Sequence, residues 1–139
     1  MTTAALTARA IRKELEKTHP NTKFRIRSEN FAGGDAVNIS YMDSCPTEEI
    51  KKLTDKYQYG HFDSHQDMYE SSNNRDDIPQ TKYIQVTREL SDTAKKQLTE
   101  KLMRYWDLPD FGQQTVWDKV KKWPDMLLWE EAARTTFPT

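Results

Sequence analysis

The strongest constraint on the fold is a pair of alternating segments on either side of the dipeptide Gly33–Gly34. Residues 23–27 alternate between basic and apolar side chains, and residues 36–41 alternate between apolar side chains and small or polar ones. Successive side chains of a strand point to opposite faces, so both segments are predicted to be half-buried strands. The two glycines permit the positive φ of a tight connection. We therefore predict an antiparallel hairpin.

Helices and a third strand are predicted around this hairpin. Residues 3–18 have apolar residues near helical spacing and end before Pro20. A second helix begins at Thr47, with two glutamates in its first turn. The segment "TKYIQVTREL" is predicted to be a strand, and Ser91 is predicted to cap the long helix after it.

The element order αββα-β-α predicts an α+β fold with a small antiparallel sheet and packed helices. We expect this domain to span residues 1–106. Residues 107–139 contain three tryptophans and are broken by Pro109 and Pro124, of which Pro124 suits the first turn of a final helix. We expect a helical, Trp-rich C-terminal extension that packs on the domain or forms an interface.

Charge and cysteine content exclude several classes of protein. The formal net charge is -1 over 139 residues, which provides no general attraction to nucleic acid or to acidic membranes. Cys45 is the only cysteine, so no intrachain disulfide is possible. The first residues have no signal-peptide pattern, and no apolar run is long enough to span a membrane. We expect a soluble, cytoplasmic protein that does not contact a membrane.

The segment "GHFDSHQDMYE" at residues 60–70 resembles a metal or acid/base site. His61, Asp63, His65 and Asp67 occupy every second position, so an extended strand would place all four on one face. Imidazoles and carboxylates are common metal ligands, but a zinc site needs three or four of them with supporting hydrogen-bond partners. The alternative is a bent loop whose aspartates bond the backbone.

Two segments of the chain resemble a known family. They are "KFRIRSENFAGGDAVNISYMDSCPTEEI", and "GHFDSHQDMYE" followed by "KYIQVTRELS". Both resemble the large polyvalent-protein-associated domain that is twenty-ninth in its series, over about residues 8–92. The positions that match its pattern are Lys23, Phe24, Arg27, Ser28, Ala32, Gly33, Gly34, Tyr41, Asp43, Pro46, Thr47, Glu48, Gly60, Phe62, Asp63, Asp67, Tyr69, Glu70, Arg88, Leu90 and Ser91.

The resemblance implies a setting rather than a reaction. Such domains belong to polyvalent proteins of phages, plasmids and integrative elements, which enter the recipient cell with the DNA and protect it or adjust the host. His61 and His65 lie off the family pattern, so we predict no bound metal and no cofactor. The remaining polar residues form either a functional pocket or, the alternative we favour, a network that pins the long loop to the sheet. This candidate polar site consists of Arg27, Asp43, Asp63, Asp67 and Tyr69.

The C-terminal extension interleaves aromatic and basic residues, namely Trp117, Lys119, Lys121, Lys122, Trp123 and Trp129. Such a pattern suits stacking on exposed nucleic-acid bases. It equally suits an amphipathic helix in which Trp117 and Val120 share one face and Lys119 and Lys122 turn away. We favour packing in a core or in a protein interface, because tryptophan dominates such contacts.

The leading functional prediction is a non-catalytic accessory protein of a mobile genetic element. It would bind a host macromolecule, most simply a host protein, or associate with itself, and an anti-defence role is one option. The alternative is a nucleic-acid-binding module that uses Lys23, Arg25, Arg27 and the lysines of the extension. The third hypothesis is a small enzyme with a polar pocket around Asp63 and Asp67. We rank it last because the sequence contains no phosphate-binding loop and no nucleophile–base motif.

Overall fold

The computed structural model describes residues 2–63, 68–70 and 75–137, with the backbone alone for residues 61–63 and 68–70. Its contacts divide the chain into two units, Met1–Met42 with Thr47–Arg88, and Asp43–Pro46 with Glu89–Pro138. The elements are α1 (Thr3–Thr18), β1 (Arg25–Phe31), β2 (Gly34–Met42), α2 (Thr47–Thr54), a 3₁₀ turn (Asp55–Tyr57), β3 (His61–Asp63), β4 (Met68–Glu70), β5 (Tyr83–Glu89), α3 (Asp92–Trp106), α4 (Gln113–Val120) and α5 (Pro124–Ala132).

The first unit contains the predicted hairpin in a three-stranded sheet of order β1-β2-β5. β1 and β2 are antiparallel, from Arg25 opposite Ser40 to Phe31 opposite Gly34. The α+β class is therefore confirmed, and the sheet is mixed, so β5 runs parallel to β2. The backbone N–H of Lys82 donates to Asp35 Oδ1 at 2.8 Å, which holds the beginnings of β5 and β2 together. The antiparallel expectation thus holds for β1 and β2. β5 joins the sheet as a parallel strand, after the long connection that parallel pairing requires.

The core of the first unit lies where α1 packs against β1 and β2. Ile11 and Leu15 of α1, Ile39 of β2 and Ile50 of α2 are fully or almost fully buried. At the C-terminal half of α1, the Glu14 carboxylate accepts hydrogen bonds from Lys56 Nζ at 2.7 Å and from Tyr57 Oη at 2.8 Å. These bonds tie the 3₁₀ turn to α1.

Strands β3 and β4 form a separate two-stranded antiparallel pair. His61 lies opposite Glu70, and Asp63 lies opposite Met68. Of the alternating segment, His61–Asp63 form a strand, and residues 64–67, which include His65 and Asp67, lie outside the described residues.

The second unit is built from α3, α4 and α5 around an apolar core. α3 begins at the Ser91 cap predicted from the sequence, and α5 begins at Pro124 as expected. The buried core residues are Leu90, Ala94, Leu98, Leu102, Leu108, Val116, Leu127, Leu128 and Ala132. α3 therefore shares its core with the helices of the C-terminal extension. Whether residues 107–139 form a domain separate from residues 1–106 stays a prediction. Among the described helices, none has the length and apolar character needed to cross a bilayer.

Candidate functional site

Asp43 is the member of the candidate polar site whose hydrogen bonds are best defined. It follows β2 with a left-handed backbone (φ 55), and its N–H donates to the Glu89 carbonyl at 2.8 Å. Its carboxylate accepts from the Ser91 N–H at 2.8 Å and from Ser91 Oγ–H at 2.6 Å. Ser91 Oγ in turn accepts from the Ala94 N–H at 3.1 Å, which caps α3. A carboxylate placed there also complements the positive end of the helix dipole.

The other residues of the candidate polar site are described only in part. Arg27 is exposed on β1 and lies opposite Asn38 in the hairpin register. Asp67 and the side chains of Asp63 and Tyr69 lie outside the described residues. The polar site therefore stays a prediction, and so does the expectation that no metal binds at residues 61–67.

The turn between α4 and α5 positions two of the tryptophans singled out in the sequence. Lys121 ends α4 in the left-handed region (φ 63), and its N–H donates to the Trp117 carbonyl at 2.9 Å. Trp123 then occupies the position before Pro124, the first residue of α5. The turn brings the indole of Trp123 onto that of Trp117, with ring centroids 4.6 Å apart and planes at 24°. Such offset stacking favours one arrangement of the two rings.

Four of the large apolar side chains that remain outside the core of the second unit lie on α4, on α5 or on the turn between them. Trp117 is 37% exposed, Trp123 51%, Met126 52% and Trp129 43%. We call these four residues the tryptophan surface. Residues three apart are neighbours on a helix, so Trp123, Met126 and Trp129 continue along α5 on the side away from its buried leucines. The surface is therefore contiguous along α5 and joins α4 through the stacked pair.

The burial of α4 separates two residues that the sequence pattern put on one face. The sequence analysis expected Trp117 and Val120 to pack in a core or in a protein interface. In the structure Val116 is fully buried, Val120 packs partly against the core, and Trp117 is turned outward. The sequence analysis also missed Met126, whose position three residues after Trp123 was the available signal.

The charges around the tryptophan surface are mixed. Lys122 Nζ pairs with Glu130 Oε2 at 2.7 Å, whereas Lys119 and Lys121 are exposed and have no ion-pair partner among the described residues. Between Gln113 and Ala132 the carboxylates outnumber the lysines, and the residues concerned are Asp118, Asp125, Glu130 and Glu131 against Lys119, Lys121 and Lys122. The surface is thus apolar with a charged rim rather than basic.

A cleft of about 560 Å³ between α3 and α5 is lined by Trp106, Tyr105 and several charged groups. Glu131 Oε1 pairs with Lys101 at 2.7 Å, and its Oε2 pairs with Arg134 at 2.8 Å. The hydrogen bond from Lys101 is the main cause that holds the pKa of Glu131 below its usual value. The charges that line this cleft are therefore largely paired with one another, and the cleft offers a ligand little unpaired charge.

Comparison with known proteins identifies one related family. A family model described as large polyvalent protein associated domain 29 matches residues 2–99. No curated protein and no solved structure matches the chain. The matched residues run from α1 into α3 and stop before α4, so the whole tryptophan surface lies outside them.

Proposed function

The chain belongs to the large polyvalent protein associated domain 29 family, a family associated with polyvalent proteins of phages and mobile elements, and from this membership we propose that it is a non-catalytic accessory protein that binds a host protein. The tryptophan surface is the proposed contact. A component of a host defence system is the class of partner that the setting favours, because such proteins act on the recipient cell.

The observation that carries this proposal is the exposure of large apolar side chains that the second unit does not need for its own core. Trp117, Trp123 and Trp129 are 37–51% exposed although nine other residues fill that core. Tryptophan is enriched, with tyrosine and arginine, among the residues that dominate binding energy at protein interfaces, and methionine is also more frequent in interfaces than on the rest of the surface. An apolar patch with a mixed charged rim also matches the anatomy of a protein interface.

Nucleic acid is the weaker candidate for this surface. Binding to a phosphate backbone draws on unpaired lysines and arginines. Lys122 is already paired with Glu130, and the carboxylates between Gln113 and Ala132 outnumber the lysines. The stacked indoles suit bases, but the local charge opposes the approach of a polyanion.

Photo-crosslinking tests the proposal. A photoreactive phenylalanine replaces Met126 in the full chain, expressed in cells of the host, and the same residue at the exposed Lys95 of α3 is the control. We expect a defined protein adduct from position 126 only. The adduct partner is then purified, and its Kd is measured for the wild-type chain and for the W117A/W123A variant.

Loss of both indoles should weaken the Kd by roughly thirtyfold or more, the effect of removing an interface hot spot. Leu6→Ala is the matched control, since Leu6 is an apolar residue of α1 that is 43% exposed, and its Kd should equal that of the wild type. A W117A/W123A variant that binds as tightly as the wild type contradicts the proposal. A salt-sensitive nucleic-acid adduct in place of a protein adduct replaces it with the nucleic-acid hypothesis.

A further inference from the structure

Strand β1 forms one edge of the sheet in the first unit. The strand order is β1-β2-β5, so β2 is the only strand that pairs with β1 among the described residues. Of the seven residues of β1, only Ile26 is buried, and Ser28, Glu29 and Asn30 are all exposed. An exposed edge of this length presents backbone N–H and C=O groups to any strand that fits it.

The hairpin register shows which groups of β1 point outward. Phe31 and Gly34 close the two-residue turn, so they form a hydrogen-bonded pair, and bonded and non-bonded pairs alternate from there. Arg27 is then bonded to β2, whereas the N–H and C=O groups of Ile26, Ser28 and Asn30 face the open edge. A contact from α1 agrees, since Arg12 Nη2 reaches the Ile26 carbonyl at 3.5 Å.

We propose that a second copy of this chain adds its own β1 to this edge, antiparallel and with Ser28 opposite Ser28, to form one continuous sheet across the two copies. In this register the outward groups of Ser28 bond those of the second Ser28. Ile26 and Asn30 bond each other on either side. The interface is isologous, as a two-fold dimer requires. The Ile26 carbonyl then accepts the new bond either in place of its long contact with Arg12 or in addition to it.

Side chains of β1 are complementary to themselves in this register. Arg27 lies directly opposite Glu29 of the second copy, and the two-fold axis repeats this pair. Opposite charges in facing positions stabilise an antiparallel pair, and like charges destabilise it. Arg25 lies opposite Phe31 of the second copy. The Phe31 ring stacks on Tyr83 of its own chain, with centroids 6.2 Å apart, and is still 47% exposed, so its other face can accept a cation–π contact.

The same charges exclude neighbouring registers. If the second strand slides by two residues in one direction, Arg27 lies opposite Arg27 on the two-fold axis. If it slides by two residues in the other direction, Glu29 lies opposite Glu29. Such like pairs oppose association. Among the neighbouring registers that still pair the outward backbone groups of both strands, charge therefore selects the one centred on Ser28.

Sedimentation equilibrium of the full chain, over a concentration series from micromolar to millimolar and at low ionic strength, tests the proposal. We expect a monomer–dimer equilibrium for the wild type. Ser28→Pro removes the central outward N–H, and proline is tolerated on an edge strand, so this variant should be monomeric. Ser28→Ala keeps that N–H and should dimerise as the wild type does.

A charge swap provides a second test that does not depend on proline. Arg27→Glu places a carboxylate opposite Glu29 of the second copy and should weaken dimerisation by roughly tenfold or more. The R27E/E29R variant restores opposite charges and should recover the dimer. The W117A/W123A variant should dimerise normally, which separates this interface from the tryptophan surface. A wild type that is monomeric throughout, a dimer that survives Ser28→Pro, a charge swap that recovers nothing, or a dimer lost in W117A/W123A would each overturn the proposal.

Discussion

Asp43 and Ser91 lie 48 residues apart in the sequence, yet the carboxylate of Asp43 accepts both the backbone N–H and the hydroxyl of Ser91. Ser91 simultaneously caps α3 through the Ala94 N–H. The chain that leaves β2 and the chain that enters α3 are therefore held by one short network. Both residues lie within the segment that the family model matches.

This network predicts a measurable loss of stability. Ser91→Ala removes the helix cap and should lower the free energy of unfolding by about 1 kcal/mol. Asp43→Asn, which still tolerates the left-handed backbone, should cost a similar amount. Because the two residues share their bonds, the double variant should cost less than the sum of the single ones. Urea denaturation measures all three, and Asp92→Asn in the exposed first turn of α3 is the control. Strictly additive losses would contradict the shared network.

The hairpin turn predicts unequal effects at its two glycines. Gly34 has φ 149, and a Cβ there would lie 2.6 Å from Cδ of Lys82. Gly34→Ala should therefore lower the free energy of unfolding by about 1 kcal/mol or more. At Gly33 the nearest atoms to an added Cβ belong to Phe31 at 3.9 Å, so Gly33→Ala should stay within about 0.5 kcal/mol. Equal melting temperatures for the two variants would argue against strain at Gly34.

The bond between Tyr57 and Glu14 predicts a dependence of stability on alkaline pH. Burial, followed by the hydrogen bond to Glu14, raises the pKa of Tyr57 from 10.0 to about 12. The folded state then holds this proton more tightly than the unfolded state, so the contribution of Tyr57 to stability is complete below pH 10.0 and is lost as the pH rises to about 12. The stability advantage of the wild type over Tyr57→Phe should shrink across this window.

Urea denaturation at a series of pH values measures the effect at Tyr57. Tyr105→Phe is the control, since Tyr105 is 78% exposed. It should follow the wild-type pH dependence throughout. A constant difference between the wild type and Tyr57→Phe across the window would contradict the raised pKa.

Val116 and Trp117 are neighbours on α4 but differ in burial, so their substitution should lower the free energy of unfolding by different amounts. Val116 is fully buried, so Val116→Ala should cost about 2 kcal/mol through lost burial and the cavity left behind. Trp117 is partly exposed and mainly loses its stacking on Trp123, so Trp117→Ala should cost roughly 1 kcal/mol although it removes far more atoms. Urea denaturation of the two variants measures both losses of stability. A larger loss for Trp117→Ala would mean that the indole belongs to the core.

The sequence by itself determined the elements whose signals are local. The alternation around Gly33–Gly34 predicted the β1–β2 hairpin, and the cap at Ser91 predicted the start of α3. Both patterns depend on side-chain periodicity and on hydrogen bonds between near neighbours in the chain. The tryptophans of the extension were also recognisable as a candidate surface, because aromatic and basic residues are interleaved there.

Tertiary structure decided what depends on distant partners. Only the position of β5 beside β2 shows that the sheet is mixed, since strand direction follows from the crossover and not from the strand's own sequence. Only the packing of α4 against the other helices of the second unit decides that Val116 is buried and Trp117 exposed, because a rotation of α4 by one position would exchange them. The bond from Asp43 to Ser91 is equally non-local. Periodicity identifies an apolar face, but the neighbouring elements determine which residues of that face lose contact with water.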